Sequence, residues 1–322
     1  MHAKKKLSSA LVLLGCFSLL SCSSDTNNSD AASTIDSGVD AGAPDTTAPL
    51  NKRFGGSRPV NLAVPKNYDG KKALPLVFVL HGYSANGFVQ TRLLGFHTLV
   101  EKQEILLAAP EGTINAKHKQ FWNATDACCD FFDTKVDDVA YLAGLIKEIS
   151  DVYNVDKKRV YLIGHSNGGF MAYRMACDRA DLIAGIISLA GASFASSSKC
   201  KPSEPVSVLQ IHGDKDDSVL FGGGSVKSPD APATSKTYPG ALESTSNWAS
   251  YNGCKTTTKK EATTLDLDSS VAGAESEVLR FEGCPSGIDV ELWTIVGGSH
   301  LPLPTPTFTN RAWDFFAKHP KL

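Results

Sequence analysis

The sequence predicts an α/β fold, in which a mostly parallel central sheet is covered by helices on both faces. Short apolar runs, typical of buried parallel strands, recur along the chain and alternate with stretches of helical period. Such alternation favours a parallel sheet, because each return to the same edge needs a crossover, usually a helix. About 270 residues follow an atypical N-terminal segment, which is enough for one domain with a substantial core.

The first half of the chain supplies three predicted strands and two predicted helices. Residues 60–64 form a short edge strand that ends at a proline. Residues 76–80 and 105–109 are continuous apolar runs, as buried parallel strands should be. Residues 88–101 are amphipathic and predict one helix. Residues 136–153 predict another, because their apolar residues recur near helical period with polar residues between them.

The second half continues the alternation. Residues 160–163 are apolar and β-prone, and the residues after Ser166 lack proline and are compatible with a helix. The other elements follow the same two patterns, with strands at 183–189, 206–211 and 290–296 and helices at 242–252 and 309–318. In open sheets of this kind, binding sites form at the carboxyl ends of the strands.

Residues 164–168 read Gly-His-Ser-Asn-Gly and match the pattern G-x-S-x-G. That pattern is the sharp turn that lifts a serine hydroxyl from the end of a strand onto the start of a helix. A glycine-rich turn with an idle serine is the alternative interpretation. The β-prone run before the motif and the helix-compatible run after it favour Ser166 as a nucleophile.

A serine hydroxyl is a poor nucleophile at neutral pH, so it needs a base, usually His, and a carboxylate that orients this His. In folds of this kind the chain order is Ser, acid, His. The loop after strand 206–211 offers Asp214, Asp216 and Asp217, and the spacing H-G-x-x-D-x-x-V points to Asp216. The other two are more typical of turns or solvated surface. His300 follows the last predicted strand and is the predicted base.

Acyl transfer also needs two backbone N–H donors that bind the oxyanion. Asn167, directly after the serine, is predicted to supply one. Because that donor is backbone, replacing Asn167 by Ala is expected to cost little. Tyr83, just after strand 76–80, is predicted to supply the other, with a glycine before it that lets the backbone turn closely. His81 is predicted to contact substrate; a tight turn with a buried His81 is the alternative.

Together these residues resemble the α/β-hydrolase fold. Three further stretches narrow the resemblance: Phe-Trp-Asn at 121–123 with the adjacent pair Cys128 and Cys129, Val-Asp-Asp-Val at 136–139, and Ser-Asn-Gly-Gly-Phe-Met-Ala-Tyr-Arg at 166–174. They are similar to the secreted polyhydroxybutyrate depolymerase and feruloyl esterase group, related to carbohydrate esterase family 1. The resemblance covers roughly residues 55–320. It implies hydrolysis of polyhydroxyalkanoate oligomers, of feruloyl or acetyl esters of polysaccharide, or of small aryl esters, and it implies no cofactor.

The sequence departs from this group in two loops. The loop of the predicted base usually continues with Thr-Trp-Pro, whereas Leu-Pro-Leu-Pro follows His300 here, so an aromatic contact is missing. After Val219 the group often has Pro-Tyr, and this chain has Leu-Phe-Gly-Gly-Gly. Both changes affect what is bound. Trp122 is predicted to supply an aromatic wall to the substrate site instead; a tryptophan in the core is the alternative.

The N-terminal 50 residues are predicted to direct export of the chain and to tether its catalytic domain to a membrane. Residues 1–22 combine three lysines with an apolar stretch too short to span a bilayer, and Leu-Leu-Ser-Cys at 19–22 resembles the bacterial lipobox, in which Cys22 receives lipid. An ordinary secretory signal is the alternative. Residues 23–50 hold five Asp, no Lys or Arg and no aromatic residue, which predicts a disordered tether. Residues 51–322 form the predicted catalytic domain, lipid-anchored to a bacterial membrane or secreted.

Export makes disulfides plausible for the six cysteines of that domain, Cys128, Cys129, Cys177, Cys200, Cys254 and Cys284. Cys254 with Cys284 is the favoured pair. Cys128 and Cys129 are expected to have different partners, because adjacent cysteines rarely pair with each other. No metal site is predicted, since no C-x₂-C is present and no His has ligand spacing from these cysteines.

The formal net charge of −2 and the pI near 6.4 argue against a nucleic-acid or polyanion partner. The predicted partner is an ester substrate, either small or polymeric, and no obligate protein partner is indicated. Two alternatives to an esterase remain. A serine peptidase of related fold would usually carry a propeller or lid domain. A non-catalytic lipoprotein that binds polymer or glycan would not need an intact Ser, Asp and His set.

Overall fold

The computed structural model describes residues 52–226 and 236–322. The described residues belong to a unit that spans Thr46–Leu322. The predicted signal peptide at 1–22, its Cys22 and the predicted tether at 23–50 lie outside the described residues. Within the described parts of the chain, no helix is both long and apolar enough to cross a membrane.

The described residues contain fourteen strands and six α-helices in alternation. The strands are β1 (Arg53–Phe54), β2 (Val60–Ala63), β3 (Leu74–Leu80), β4 (Leu106–Ala108), β5 (Thr113–Ile114), β6 (Gln120–Phe121), β7 (Val155–His165), β8 (Gly185–Leu189), β9 (Ser207–Gly213), β10 (Gly223–Gly224), β11 (Tyr238–Pro239), β12 (Thr258–Lys260), β13 (Ser276–Phe281) and β14 (Val290–Ile295). The helices are α1 (Gly87–Leu93), α2 (Leu99–Lys102), α3 (Asp138–Ser150), α4 (Asn167–Asp178), α5 (Ala241–Tyr251) and α6 (Pro306–Lys318).

Ten strands form one sheet in the order β1-β2-β4-β3-β7-β8-β9-β14-β13-β12. From β4 to β14 neighbouring strands are parallel, whereas β2 and β13 join this block antiparallel. The mostly parallel central sheet predicted from the sequence is therefore confirmed. β5 with β6 and β10 with β11 form two small antiparallel pairs outside it.

Two hydrophobic cores lie on opposite faces of this sheet. In β3, Leu76, Phe78 and Leu80 enter one core, and Val77 and Val79 enter the other. Side chains of α3, α4 and α5 complete the first core, and those of α2 and α6 complete the second. Because both faces are covered, β3, β8 and β9 are buried at every position, which explains why hydrophobic residues predominate in them.

The structure corrects the prediction of one helix at 88–101. The segment divides into α1, a 3₁₀ turn at Phe96–Thr98, and α2. Gly95 separates them with a φ of 72°, and a Cβ at this position would collide with the side chain of Thr309. Glycine is therefore required at this turn, and it ends the helix that the amphipathic pattern predicts.

Three disulfides link the six described cysteines: Cys128–Cys129, Cys177–Cys200 and Cys254–Cys284. The predicted pairing of Cys254 with Cys284 is confirmed. The expectation that the adjacent cysteines have different partners is wrong, because they pair with each other. The remaining two cysteines connect the end of α4 to the loop before β9, which leaves the adjacent pair only each other.

Candidate active site

The turn between β7 and α4 presents Ser166 at the carboxyl edge of the sheet. Ser166 has a φ of 54°, a left-handed conformation that non-glycine residues adopt rarely and that often marks a functional site. Gly164 and Gly168 permit this turn, because a Cβ on either would collide with backbone of the neighbouring turn or of β3. The two glycines of the motif are thus required by close packing.

Three residues that are far apart in the sequence meet at this turn. Oγ of Ser166 lies 3.0 Å from Nε2 of His300, and Nδ1 of His300 lies 2.8 Å from Oδ2 of Asp216. Both distances are within hydrogen-bonding range. A serine hydroxyl, an imidazole and a carboxylate joined in this way form the arrangement in which the imidazole can accept the serine proton.

The carboxylate of Asp216 is buried and held by several donors. Its Oδ1 accepts hydrogen bonds from the backbone N–H groups of Ser218 and Val219, at 2.9 and 2.8 Å. Burial raises the pKa of Asp216, but hydrogen bonds from His212 and His300 outweigh this and hold the pKa well below its usual range. Asp216 is therefore ionised at neutral pH and can stabilise a positive charge on its histidine partner.

The two competing aspartates take other roles. Asp214 accepts a hydrogen bond from the backbone N–H of Gly297 at 2.7 Å and so ties the two loops together. Asp217 is exposed and accepts from the hydroxyl of Ser218. Among the described aspartates of this loop, only Asp216 contacts the imidazole of His300, in agreement with the H-G-x-x-D spacing.

His212 is a supporting residue that sequence reasoning missed. The side-chain amide of Gln210 donates to Nδ1 of His212 at 3.0 Å and to the carbonyl oxygen of Gly191 at 2.9 Å. The proton of His212 is therefore on Nε2, which donates to the carbonyl oxygen of Val219 at 2.8 Å and lies 3.2 Å from Asp216 Oδ2. The His at the start of the H-G-x-x-D motif is the sequence feature that could have identified this role.

His165, inside the serine motif, holds the backbone of the predicted base. Its Nε2 donates to the carbonyl oxygen of His300 at 2.8 Å, and the two ring centroids are 5.0 Å apart. Burial, and next the neighbouring His300, lower the pKa of His165 to about 4. A neutral His165 thus positions the loop that carries His300 without adding charge to the site.

The two predicted oxyanion donors lie beside the serine. Asn167 is the first residue of α4, where backbone N–H groups have no intrahelical acceptor. Tyr83 lines the same cleft as Ser166, and a Cβ on the preceding Gly82 would lie 3.4 Å from Ser166 Cβ. The hydroxyl of Tyr83 accepts a hydrogen bond from Asn115 at 2.8 Å, which fixes this side chain. The backbone at both positions is therefore close to the nucleophile.

The side chain of Asn167 has a structural role that the sequence did not reveal. It is fully buried, its Oδ1 accepts from the backbone N–H of Trp122 at 2.7 Å, and its Nδ2 donates to the carbonyl oxygen of Trp122 at 2.9 Å. Nδ2 also lies 3.5 Å from Sγ of Cys128. The expectation that replacing Asn167 by Ala costs little is corrected, because this change would leave the buried N–H of Trp122 unpaired.

The structure does not bring Trp122 or His81 to the substrate cleft, and this prediction is corrected. Both are fully buried, and the indole N–H of Trp122 donates to the carbonyl oxygen of His81 at 3.0 Å. His81 accepts from the backbone N–H of Gly112 at 2.9 Å and donates to the carbonyl oxygen of Gly82 at 2.8 Å. Burial lowers its pKa to about 4. Through these hydrogen bonds, both side chains hold the backbone of the loop that carries Tyr83.

A cleft of about 390 Å³ opens onto Ser166 and His300. One wall consists of Tyr83, Phe131 and the Cys128–Cys129 disulfide, with the two aromatic rings packed edge to face at 5.4 Å. The opposite wall is formed by residues after β9, including Leu220 and Val226. Sequence reasoning missed Phe131. In the described parts of the chain, no group of three or more His, Cys, Asp or Glu is placed to hold a metal ion.

Comparison with known proteins agrees with this fold. Residues 75–201 match the family described as "PGAP1-like alpha/beta domain". The chain is 29% identical over 261 residues to feruloyl esterase B of Piromyces equi, covering 80% of this chain and 44% of that protein. It is 30% identical over 240 residues to the protein named "Putative esterase NocK" of Nocardia uniformis subsp. tsuyamanensis, covering 74% and 67%. The chain therefore spans less than half the length of the Piromyces protein.

Among solved structures, an acetyl xylan esterase from Aspergillus awamori superposes with a TM-score of 0.58 at 14% identity, covering 83% of this chain and 98% of the other. At this identity the likeness shows the fold alone. The fold and the serine site define an α/β-hydrolase. The chain belongs to the α/β-hydrolase esterase group, whose named members here are carboxylic ester hydrolases, and the resemblance inferred from the sequence is confirmed.

Proposed function

We propose that this chain is a serine esterase that hydrolyses carboxylic esters with Ser166 as nucleophile, His300 as base and Asp216 as the orienting acid. One observation carries the proposal: an unbroken hydrogen-bonded chain runs from the serine hydroxyl through the imidazole to a buried carboxylate, at the mouth of a cleft. The identity of the chain's relatives, several of them named as esterases, supports the same reaction class.

The mechanism is acyl transfer in two halves. Ser166 attacks the ester carbonyl while Nε2 of His300 accepts its proton, and Asp216 stabilises the imidazolium that forms. The backbone N–H groups of Tyr83 and Asn167 bind the oxyanion of the tetrahedral intermediate. His300 then donates its proton to the departing alkoxide, which leaves an acyl-enzyme. Water repeats these steps in reverse order and releases the acid.

The proposed substrates are feruloyl or acetyl esters of polysaccharide, polyhydroxyalkanoate oligomers and small aryl esters. The aromatic and sulfur wall of the cleft suits an apolar acyl group, and two relatives are named for feruloyl and acetylxylan esters. A panel of methyl ferulate, acetylated xylan, p-nitrophenyl esters of rising chain length and amorphous polyhydroxybutyrate would rank these classes by kcat/KM. If the chain hydrolyses none of the esters in the panel, the proposed reaction is refuted.

Ser166→Ala is expected to abolish hydrolysis of p-nitrophenyl butyrate and labelling by a fluorophosphonate probe, because it removes the hydroxyl that lies 3.0 Å from Nε2 of His300. Ser198→Ala, at an exposed position before β9, is the matched control and should retain full activity. Near-normal turnover by the Ser166 variant would refute the assignment, and failure of the wild-type chain to react with the probe would instead favour a non-catalytic binding protein.

We also propose that the chain is exported and that Cys22 carries lipid. The basic start, the short apolar stretch and the Leu-Leu-Ser-Cys sequence at 19–22 support export through a lipoprotein signal. The three disulfides of the described residues suit an oxidising compartment. The ester substrate would then be met outside the cytoplasm, where polymers too large for uptake are found.

A further inference from the structure

The Cys128–Cys129 disulfide lies in the wall of the catalytic cleft, and loop closure does not explain its presence. The other two disulfides join cysteines separated by 23 and 30 residues, so they restrict the unfolded chain substantially. Cys128 and Cys129 are neighbours and close no loop of comparable length. Chain entropy therefore gives this disulfide little stabilising effect, and its contacts indicate another role.

The contacts of Cys128 and Cys129 lead directly to the predicted oxyanion donor. Sγ of Cys128 lies 3.5 Å from the side-chain amide nitrogen of Asn167. The backbone N–H of Cys129 donates to the carbonyl oxygen of Trp122 at 3.4 Å, and the same oxygen accepts from the side chain of Asn167. The disulfide, Trp122 and Asn167 thus form one hydrogen-bonded unit.

Phe131 connects this unit to Tyr83 as well. The backbone N–H of Phe131 donates to the carbonyl oxygen of Cys129 at 2.9 Å, and the ring of Phe131 packs against Tyr83, the second predicted donor. Both cysteines are buried, with 3% of their surface exposed, so they have little space in which to move independently. The disulfide is therefore packed against the supports of both oxyanion donors.

We infer that the Cys128–Cys129 disulfide is a positioning element of the ester site: it holds Asn167, and through it the backbone N–H that binds the oxyanion. The inference rests on the proposed function. Without the covalent bond, the two sulfur atoms cannot remain at bonding distance, and the two side chains must separate within a packed wall. This separation displaces the amide side chain of Asn167 and the first turn of α4.

The expected effect is a loss of turnover more than a loss of substrate binding. Removing one oxyanion donor typically lowers kcat by about 10²–10³-fold, and a displacement of about 1 Å can cost about 10²-fold. A displaced donor should therefore lower kcat by about 10- to 100-fold. KM should change much less, because the oxyanion forms only in the transition state.

The test compares two variants that each lack one disulfide. Cys128→Ser/Cys129→Ser is expected to lose about 10- to 100-fold in kcat for p-nitrophenyl butyrate with KM nearly unchanged. Cys254→Ser/Cys284→Ser, whose disulfide does not line the cleft, is the matched control and should keep its kcat while losing thermal stability. An unchanged kcat in the first variant, with folding verified by circular dichroism, would overturn the inference.

Reduction of the wild-type chain provides a second measurement that does not depend on how the variant folds. Dithiothreitol supplies two electrons and two protons, so the disulfide becomes two thiols while the reagent closes to a cyclic disulfide. Phenylarsine oxide, which bridges neighbouring thiols, traps the opened pair, and peptide mass spectrometry identifies which disulfide has opened. The kcat should fall in step with opening of Cys128–Cys129. Full kcat in protein with this pair open would contradict the inference.

The two proposals fail in different ways. A wild-type chain that hydrolyses no ester refutes the proposed function. A wild-type chain that is active, with a kcat that does not respond to loss of the Cys128–Cys129 bond, refutes only the positioning role.

Discussion

At the scale of single residues, burial and hydrogen bonding leave one reactive imidazole among several neighbouring histidines. His81 and His165 are buried, have pKa values lowered to about 4 and bond to backbone carbonyl groups. Both ring nitrogens of His212 take part in hydrogen bonds, and its Nε2 also lies next to the carboxylate of Asp216. His300 alone of these four contacts the serine hydroxyl. The three supporting histidines therefore orient the site, while the imidazole of His300 is available for proton transfer.

Asn167→Ala is expected to destabilise the fold and also lower activity. It removes the acceptor of the Trp122 N–H group and one of the two donors to the Trp122 carbonyl oxygen, and leaving a buried polar group unsatisfied costs about 1–3 kcal/mol. Urea denaturation should show this loss, and kcat for p-nitrophenyl butyrate should fall because α4 starts at this residue. Asn310→Ala, an exposed asparagine of α6, is the control and should change neither quantity. Wild-type stability in the first variant would refute the structural role.

Asp216→Asn is expected to lower kcat by about 10⁴-fold, because an amide cannot stabilise the imidazolium. The folded-state pKa of Asp216 lies below its unfolded value of about 3.9, so its ionisation adds stability above that pH and the contribution is lost as pH falls through the folded pKa. The difference in unfolding free energy between wild type and variant should therefore shrink as pH falls from about pH 5 to about pH 2. Asp314→Asn, on the exposed face of α6, should show no such change; an equal difference at both pH values would contradict the argument.

At the scale of elements, the turn between β7 and α4 is the feature on which the site depends. It brings the serine to the edge of the sheet only because the backbones of the two elements and of β3 approach closely at glycines. β12 and β13 differ from the central strands in how deeply they are buried. β12 is exposed throughout and β13 is only partly buried, so neither carries the apolar run by which the central strands were predicted.

Two glycine substitutions distinguish the stability lost by a steric clash from the stability gained by higher helix propensity. Gly168→Ala is expected to destabilise the chain and abolish ester hydrolysis, because its Cβ would collide with the carbonyl oxygen of Leu80. Gly144→Ala, inside α3, meets no atom within 4 Å and should raise stability by about 0.5–1 kcal/mol. Thermal unfolding and p-nitrophenyl butyrate assays measure both effects. Equal stability of the two variants would show that the turn tolerates a side chain.

At the scale of the whole molecule, the proposed lipid on Cys22 determines where the domain acts. The wild-type precursor expressed in a bacterial host is expected in the membrane fraction, because several acyl chains give stable anchoring. Cys22→Ser should appear in the soluble fraction, whereas Cys16→Ser, inside the segment that would be removed, should remain membrane-bound. Fractionation followed by mass spectrometry of the N-terminal peptide measures this. Equal distribution of the wild-type and Cys22→Ser chains would refute lipidation at this residue.

The sequence by itself determined the α/β class, the central strands, the serine turn and the candidates Ser166, Asp216 and His300. These follow from local regularities, since apolar runs, helical period and the glycines of a sharp turn are set by neighbouring residues. The choice of His300 and Asp216 as proposed base and acid also followed from chain order, and the structure places their side chains in contact although they are 84 positions apart in the sequence.

Only the tertiary structure decided which side chains face the cleft and which support it. It buried Trp122 and His81 beneath the loop of Tyr83, gave the side chain of Asn167 a structural role, and joined the adjacent cysteines to each other. The physical reason is that burial and pairing depend on contacts between distant segments, such as the 45 residues between Trp122 and Asn167. Local patterns contain no information about which of two apolar faces will meet solvent and which will meet another part of the chain.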